Sequence, residues 1–358
     1  MFQPFMGSAL ILAALAGAAA STAAAAGSAA PAAHLAAQIA VPGAARWDYV
    51  HVDPIAHRLY VAHGDRVDII DTRRDQLVGQ LTGTPGVHGV AVAPSLGLIF
   101  TSNGADGEIG VFNAADSQRV RSIKAGANPD AIVYEPLSQR VIAFNGRSKD
   151  LTIADAVTGQ IITAALPVGG KPEFAVVGPK GLVYFNIEDT AEIAVLDVAA
   201  ARLIKRYSIA PCEDPTGLDR DERGRLYAVC RNRVMVISDP ATGRVLGSSP
   251  IGQGADGVVV VAPKAGVAAN AISAITAISA NGRDGTISFV TERAGGFETL
   301  TTLPTAASAR TVAVDPGLRK LYLPAADFQP APAPASGPAG RPSAVPDSFR
   351  VLVMQLDD

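Results

Sequence analysis

Asp48, His88, Asp130, Glu173 and Asp256 are the residues of this chain best suited to acid–base or ligand chemistry, and with Thr216 and Arg310 they recur at intervals of 40 to 54 residues. Spacing of that length gathers side chains only if the fold itself repeats and sets equivalent positions around one axis. Gathered, the seven would form a funnel of four carboxylates, an imidazole, a guanidinium and a hydroxyl. Crowded carboxylates need a counter-charge or raised pKa values. Such a funnel suits a divalent cation, with Asp48, His88, Asp130 and Glu173 as candidate ligands, or a cationic or polyhydroxylated ligand, or a partner's basic side chain. The competing reading is structural, with each acid capping backbone amides of a neighbouring unit. Asn103, Asn145, Asn186 and Asn281 fall in turns expected on the same face, beside His63-Gly64 and Arg231-Asn232. Asn-Gly is also the favoured pair for a tight hairpin needing positive φ, so a purely structural role stands beside ligand binding. His88, the only histidine placed among several acids, is the first candidate for a functional role.

Catalytic signatures are sparse. There is no Gly-x-Ser-x-Gly, no His-Glu-x-x-His and no phosphate loop. Neither CxxC nor zinc-type Cys/His spacing occurs, which removes support for thioredoxin chemistry, covalent haem and structural zinc.

The elements that would position these residues repeat along the chain. An apolar run, a turn with an acidic or small residue followed by Pro or Gly, and a second apolar run recur from Tyr49-Val50-His51-Val52-Asp53-Pro54 to Thr311-Val312-Ala313-Val314-Asp315-Pro316. The turn markers stand at 54, 94, 136, 179, 222, 263 and 316, separated by 40, 42, 43, 43, 41 and 53 residues. Each unit holds four Val- and Ile-rich runs parted by Gly, Pro, Asn or Asp, as an antiparallel meander requires. The spacing predicts an all-β, seven-bladed β-propeller of four-stranded antiparallel blades. The last unit lacks a fourth run, and residues 35–41 resemble one; pairing them with residues 349–356 would close the ring and remove an open sheet edge.

The chain has 358 residues, 48% hydrophobic and 18% charged, with a net charge of −3. That balance gives no general attraction for nucleic acid. Residues 1–30 carry an apolar stretch followed by an Ala-rich segment, read as a secretory signal peptide and not a membrane anchor, though residues 1–8 lack Lys and Arg. The apolar core is shorter than the roughly 20 residues of a span. Residues 31–358 are then one propeller domain, periplasmic or secreted, with no membrane span in the mature form and expected as a monomer. Cys212 and Cys230 are the only cysteines, and a hairpin turning near Glu222 brings them together. In an oxidising compartment a disulfide is expected, worth about 3 kcal/mol; two buried thiols are the other reading. A Pro/Ala/Gly-rich loop at 328–347 lies in the last blade, and an insertion at 264–273 lengthens the sixth unit.

Trp47-Asp48-Tyr49-Val50, Pro85-Gly86-Val87-His88-Gly89-Val90, Phe144-Asn145-Gly146-Arg147-Ser148 and Cys212-Glu213-Asp214-Pro215-Thr216-Gly217 resemble the YVTN-repeat, YncE-like family of exported β-propellers. The resemblance implies a seven-bladed periplasmic propeller and no single activity, since related repeats serve as surface-layer, DNA-binding and periplasmic proteins. Two functions are expected from the residues. The first is a non-catalytic binding or scaffold protein that meets a protein or small-molecule ligand at the channel mouth. The second is a propeller enzyme of the lactonase or metal-assisted hydrolase type, with a divalent cation held by the acids.

Overall fold

Short β-branched runs parted by Gly, Pro and Asp turns can satisfy their backbone only by pairing with neighbours, and here they pair four at a time. A computed structural model describes residues 1–2, 33–43, 46–263, 275–329 and 343–357. It shows seven four-stranded antiparallel sheets arranged as the blades of a β-propeller. Blade 1 runs Val50–Asp53, Arg58–His63, Arg66–Asp71 and Gln76–Thr82 from the axis outward. The innermost strands of blades 2 to 7 are Val87–Ala93, Pro129–Glu135, Pro172–Val177, Pro215–Arg220, Ala255–Val261 and Ala313–Asp315. Residues 3–30 of the segment expected to be a signal peptide, the insertion at 264–273 and residues 330–342 of the Pro-rich loop lie outside the described residues. The flanks of that loop, Phe328–Gln329 and Ser343–Ala344, pair as a short ribbon.

Burial follows position within the blade. Middle strands are covered on both faces and read as unbroken apolar runs, such as Leu59 to Ala62, whereas outer strands such as Gln76–Thr82 are largely exposed. Each seam between adjacent blades holds its own apolar cluster. Tyr60 and Ile69 of blade 1 meet Ile99 and Phe112 of blade 2. Phe144 and Ile153 of blade 3 meet Phe185 and Leu196 of blade 4. On the face away from the channel mouth, carboxylates at strand ends cap the turns that follow. Asp53 accepts from the amides of Ile55 and Ala56, and Glu135 from those of Leu137 and Ser138. That is the physical content of the repeated acid-before-Pro turns.

The ring closes through the two ends of the chain. Ala33–Ala40 forms the outer strand of blade 7 and pairs antiparallel with Arg350–Leu356, Ile39 opposite Val351 and Gln38 opposite Leu352. Behind this pairing, Ile39, Val41, Trp47 and Val61 pack with Tyr322, Phe349 and Val353, joining blade 7 to blade 1. The expected disulfide is present between Cys212 and Cys230, 18 residues apart with Cα atoms 5.5 Å apart, and it ties the lead-in of blade 5 to its second strand.

Ile39 is buried in the closing seam and Leu35 on the same strand is half exposed. Ile39→Ala is expected to cost about 3 kcal/mol in urea unfolding, and Leu35→Ala well under about 1 kcal/mol. Equal, small losses for both would show that the terminal strand does not hold the ring.

Candidate functional site

The lead-ins to the innermost strands bring the spaced residues to one mouth of the channel, where charges alternate in sign. Arg310 Nε lies 2.9 Å from Asp256 Oδ2, and its Nη2 lies 3.6 Å from Asp48 Oδ1. Asp48 Oδ2 is 2.5 Å from His88 Nδ1, which is 3.7 Å from Asp130 Oδ1. Asp256, Arg310, Asp48, His88 and Asp130 therefore form an arc across blades 6, 7, 1, 2 and 3. Glu173 extends it in blade 4 beside Lys171, whose Nζ is 2.9 Å from Glu173 Oε2 and also contacts Glu188. Arg231 Nη2 lies 2.8 Å from Glu188 Oε1.

Tyr49 crosses the axis. It leaves the lead-in of blade 1, donates its hydroxyl to Glu173 Oε1 of blade 4 at 3.2 Å, and sets its ring edge-on to Phe174 at 5.1 Å. Burial first, then the charges of Asp130 and Glu173, hold the phenol far above its usual pKa, so it stays a donor. Below it lies a chamber of about 390 Å³ lined by Val50, His51, Val92, Phe174, Asp219 and Arg220. Burial pushes Asp219 up to about 6 and pushes the His51 imidazole down, the latter against the pull of Asp53. His51 reads in sequence as an ordinary strand residue; its place beside the lumen gives it this environment.

Above Tyr49, on the mouth side, a second pocket of about 480 Å³ opens between blades 5, 6, 7 and 1. Trp47, Gln253, Asp256, Arg283, Arg310 and Phe328 line it. The Arg310 guanidinium lies 5.4 Å from the Trp47 ring centre, and Phe328 stands 6.2 Å from the same ring. Asn281-Gly282 shapes this wall, because a Cβ on Gly282 would stand 2.6 Å from Arg310 Cβ. Gly104 is needed for a similar reason beside His88 Nε2. In these turns positive φ falls on Gly107 and Gly285, next to the third strand, and not on the glycine of the Asn-Gly pair. The expectation that Asn-Gly serves a left-handed turn is corrected accordingly: at Gly282 the close approach of blade 7 demands the glycine, at Gly104 the His88 ring of the same blade does, and Gly146 has only ordinary contacts.

Of the other sequence candidates, Thr216 is buried in the wall of this pocket and the asparagines lie deeper. Thr216 donates to the carbonyls of Val229 and Ala255, stitching blade 5 to blade 6. Asn145 donates to Asp150 and Thr152, Asn281 to Thr286 and Ser288, and Asn186 to the carbonyls of Thr216 and Gly217. Asn103 accepts from Thr101, and all four asparagines are fully buried. They brace the blades beneath the mouth and do not present amides to it. Lys171, Arg283, Tyr49 and Phe328 join the site without having been marked by spacing, since none occupies the repeated position. Trp47 and Tyr49, flanking Asp48 in sequence, were the one local signal available.

The acids are strained electrostatically despite the pairing. Burial first and Asp48 next push Asp130 up to about 6 against His88 and Lys171. Burial first and Asp130 next push Glu173 up to about 8 against Lys171. Burial lowers His88, but the Asp48 hydrogen bond and the charges of Asp130 and Asp48 outweigh it and leave the imidazole raised. All three therefore bind protons more tightly when folded than when unfolded. Their contribution is fully present below the unfolded values and is lost as pH rises through the folded ones. The melting temperature is expected to fall between pH 5 and pH 8.5, and Glu173→Gln is expected to flatten the upper part of that slope. A melting temperature that climbs over the same range, in both proteins, would contradict this electrostatic account.

No family model matches the sequence, and no curated protein matches it. In three dimensions the chain is similar to a chain of Kuenenia stuttgartiensis hydrazine synthase, with a TM-score of 0.64 and 12% identity over 79% of this chain and 94% of that one. At that identity the likeness carries the fold alone, a β-propeller.

Proposed function

We propose that this is an exported binding propeller that engages a small molecule or a partner's side chain at its channel mouth. The observation that carries the reading is the formed pocket of about 480 Å³, walled by Trp47 and Phe328 and edged by charged groups. A concave site with aromatic walls and a few convergent polar groups is the usual form of a ligand site. Export is supported by the apolar amino-terminal stretch of the sequence and by the Cys212–Cys230 disulfide, a bond that persists in oxidising compartments. Among the described residues no helix is long and apolar enough to cross a membrane. The resemblance to YVTN-repeat, YncE-like propellers supports the same reading, as does the net charge of −3, which disfavours nucleic acid as the partner.

A second reading rests on Asp48, His88 and Asp130, whose candidate ligand atoms lie within 4.8 Å of one another. These would hold a divalent cation and equip the mouth for metal-assisted hydrolysis. The close Asp48–His88 hydrogen bond and the guanidinium of Arg310 near Asp48 weigh against it, because both already supply the countercharge.

Trp47 is the single tryptophan of the chain and lines the pocket, so its emission reports on occupancy. Titration with a panel of small acids, amines, sugars and short peptides is expected to give a saturable change in emission for at least one class. Silence across the panel would remove the mouth-binding reading. Calcium or zinc added to metal-free protein is expected to leave the melting temperature within about 1 °C; a shift of several degrees, abolished by Asp130→Asn, would favour the metal site instead.

A further inference from the structure

The mouth pocket holds three nitrogen donors with spare capacity. Trp47 is only 6% exposed, and its indole Nε1–H is buried with no acceptor. Among the described residues Arg283 has no ion pair, and its side chain is exposed at the pocket rim. Arg231 reaches Glu188 with one nitrogen while 61% of its side chain remains exposed. The carboxylate of the lining, Asp256, is already engaged by Arg310. A guest that brings paired oxygens meets two guanidinium groups in the lining, each a fork of donors that matches a carboxylate, while the one acid of the lining already holds Arg310 through Oδ2. An acceptor oxygen within reach would also relieve the buried indole donor.

The walls add a second requirement. Arg310 covers one part of the Trp47 ring, and Phe328, 42% exposed, stands beside it. An exposed phenyl ring next to a buried indole offers contact to a flat apolar body. A volume of about 480 Å³ suits a small organic molecule, not a bare inorganic ion.

We propose that the mouth pocket selects a small organic carboxylate with an aromatic or similarly flat apolar body, the carboxylate held by Arg283 and Arg231 and the body by Phe328 and Trp47. This rests on the mouth-binding reading above and narrows it to an anion. The acidic arc of Asp48, Asp130 and Glu173 lies on the neighbouring side of the mouth, where His88, Arg310 and Lys171 pair with it.

The test uses the full mature chain and three probes of one shape, 3-phenylpropanoate, 3-phenylpropylamine and 3-phenylpropan-1-ol, each titrated against Trp47 emission and checked by calorimetry. The carboxylate is expected to bind about tenfold or more tightly than the alcohol, and the amine more weakly still. Arg283→Gln is expected to remove that preference and leave the alcohol unchanged, while Arg223→Gln, on the opposite face, alters neither. Far-UV circular dichroism and melting temperature confirm that both variants keep the fold. Equal binding of all three probes, tighter binding of the amine, or a preference that survives Arg283→Gln would overturn the anion inference and leave the mouth as a binding site. No response to any probe would overturn the inference, and the broader panel then decides whether mouth binding falls with it.

Discussion

Seven sheets can circle an axis only if the last is joined to the first, and in this chain a hydrogen-bonded ladder between its two ends makes the join. Residues on Ala33–Ala40 supply the strand that Arg350–Leu356 would otherwise leave as an open edge. The apolar seam behind the ladder then locks blade 7 against blade 1 with the same kind of packing that joins the other blades. Because each blade packs chiefly against its neighbours, the mouth keeps its geometry only while the circle is intact. Asp48 and Arg310 face each other across this closing seam, so the charged arc is itself a product of the closure.

The arc solves a problem that the repeat creates. Placing one side chain per blade at the same height concentrates like groups, and four carboxylates in such a ring would repel. Interleaving Arg310 and His88 among them, and bringing Lys171 to Glu173, converts repulsion into a chain of ion pairs. The compensation is incomplete around Asp130 and Glu173, whose raised pKa values record the burial that remains.

The blades and their closure were legible in the sequence because a propeller writes its period into the chain. Turn markers every 40 or so residues and a missing last strand are consequences of geometry that local residues must obey. The register of the mouth was legible for the same reason, and the positions of Asp48, His88, Asp130 and Arg310 around the axis follow from it. What the sequence did not reveal comes from non-equivalent positions. Arg283 and Lys171 come from turns and lead-ins that recur in every blade but at positions beside the one followed around the ring, and Phe328 from the edge of the Pro-rich loop. The direction of the four asparagine side chains was hidden too, because a buried brace and an exposed ligand group carry the same one-letter code.

Tyr49 reaches from one side of the ring to Glu173 on the other, with Phe174 packed against its edge. The phenol is thus a crossbar over the chamber that it helps to line, joining blade 1 to blade 4. Those two blades cannot draw apart at that height without giving up both the hydrogen bond and the ring contact.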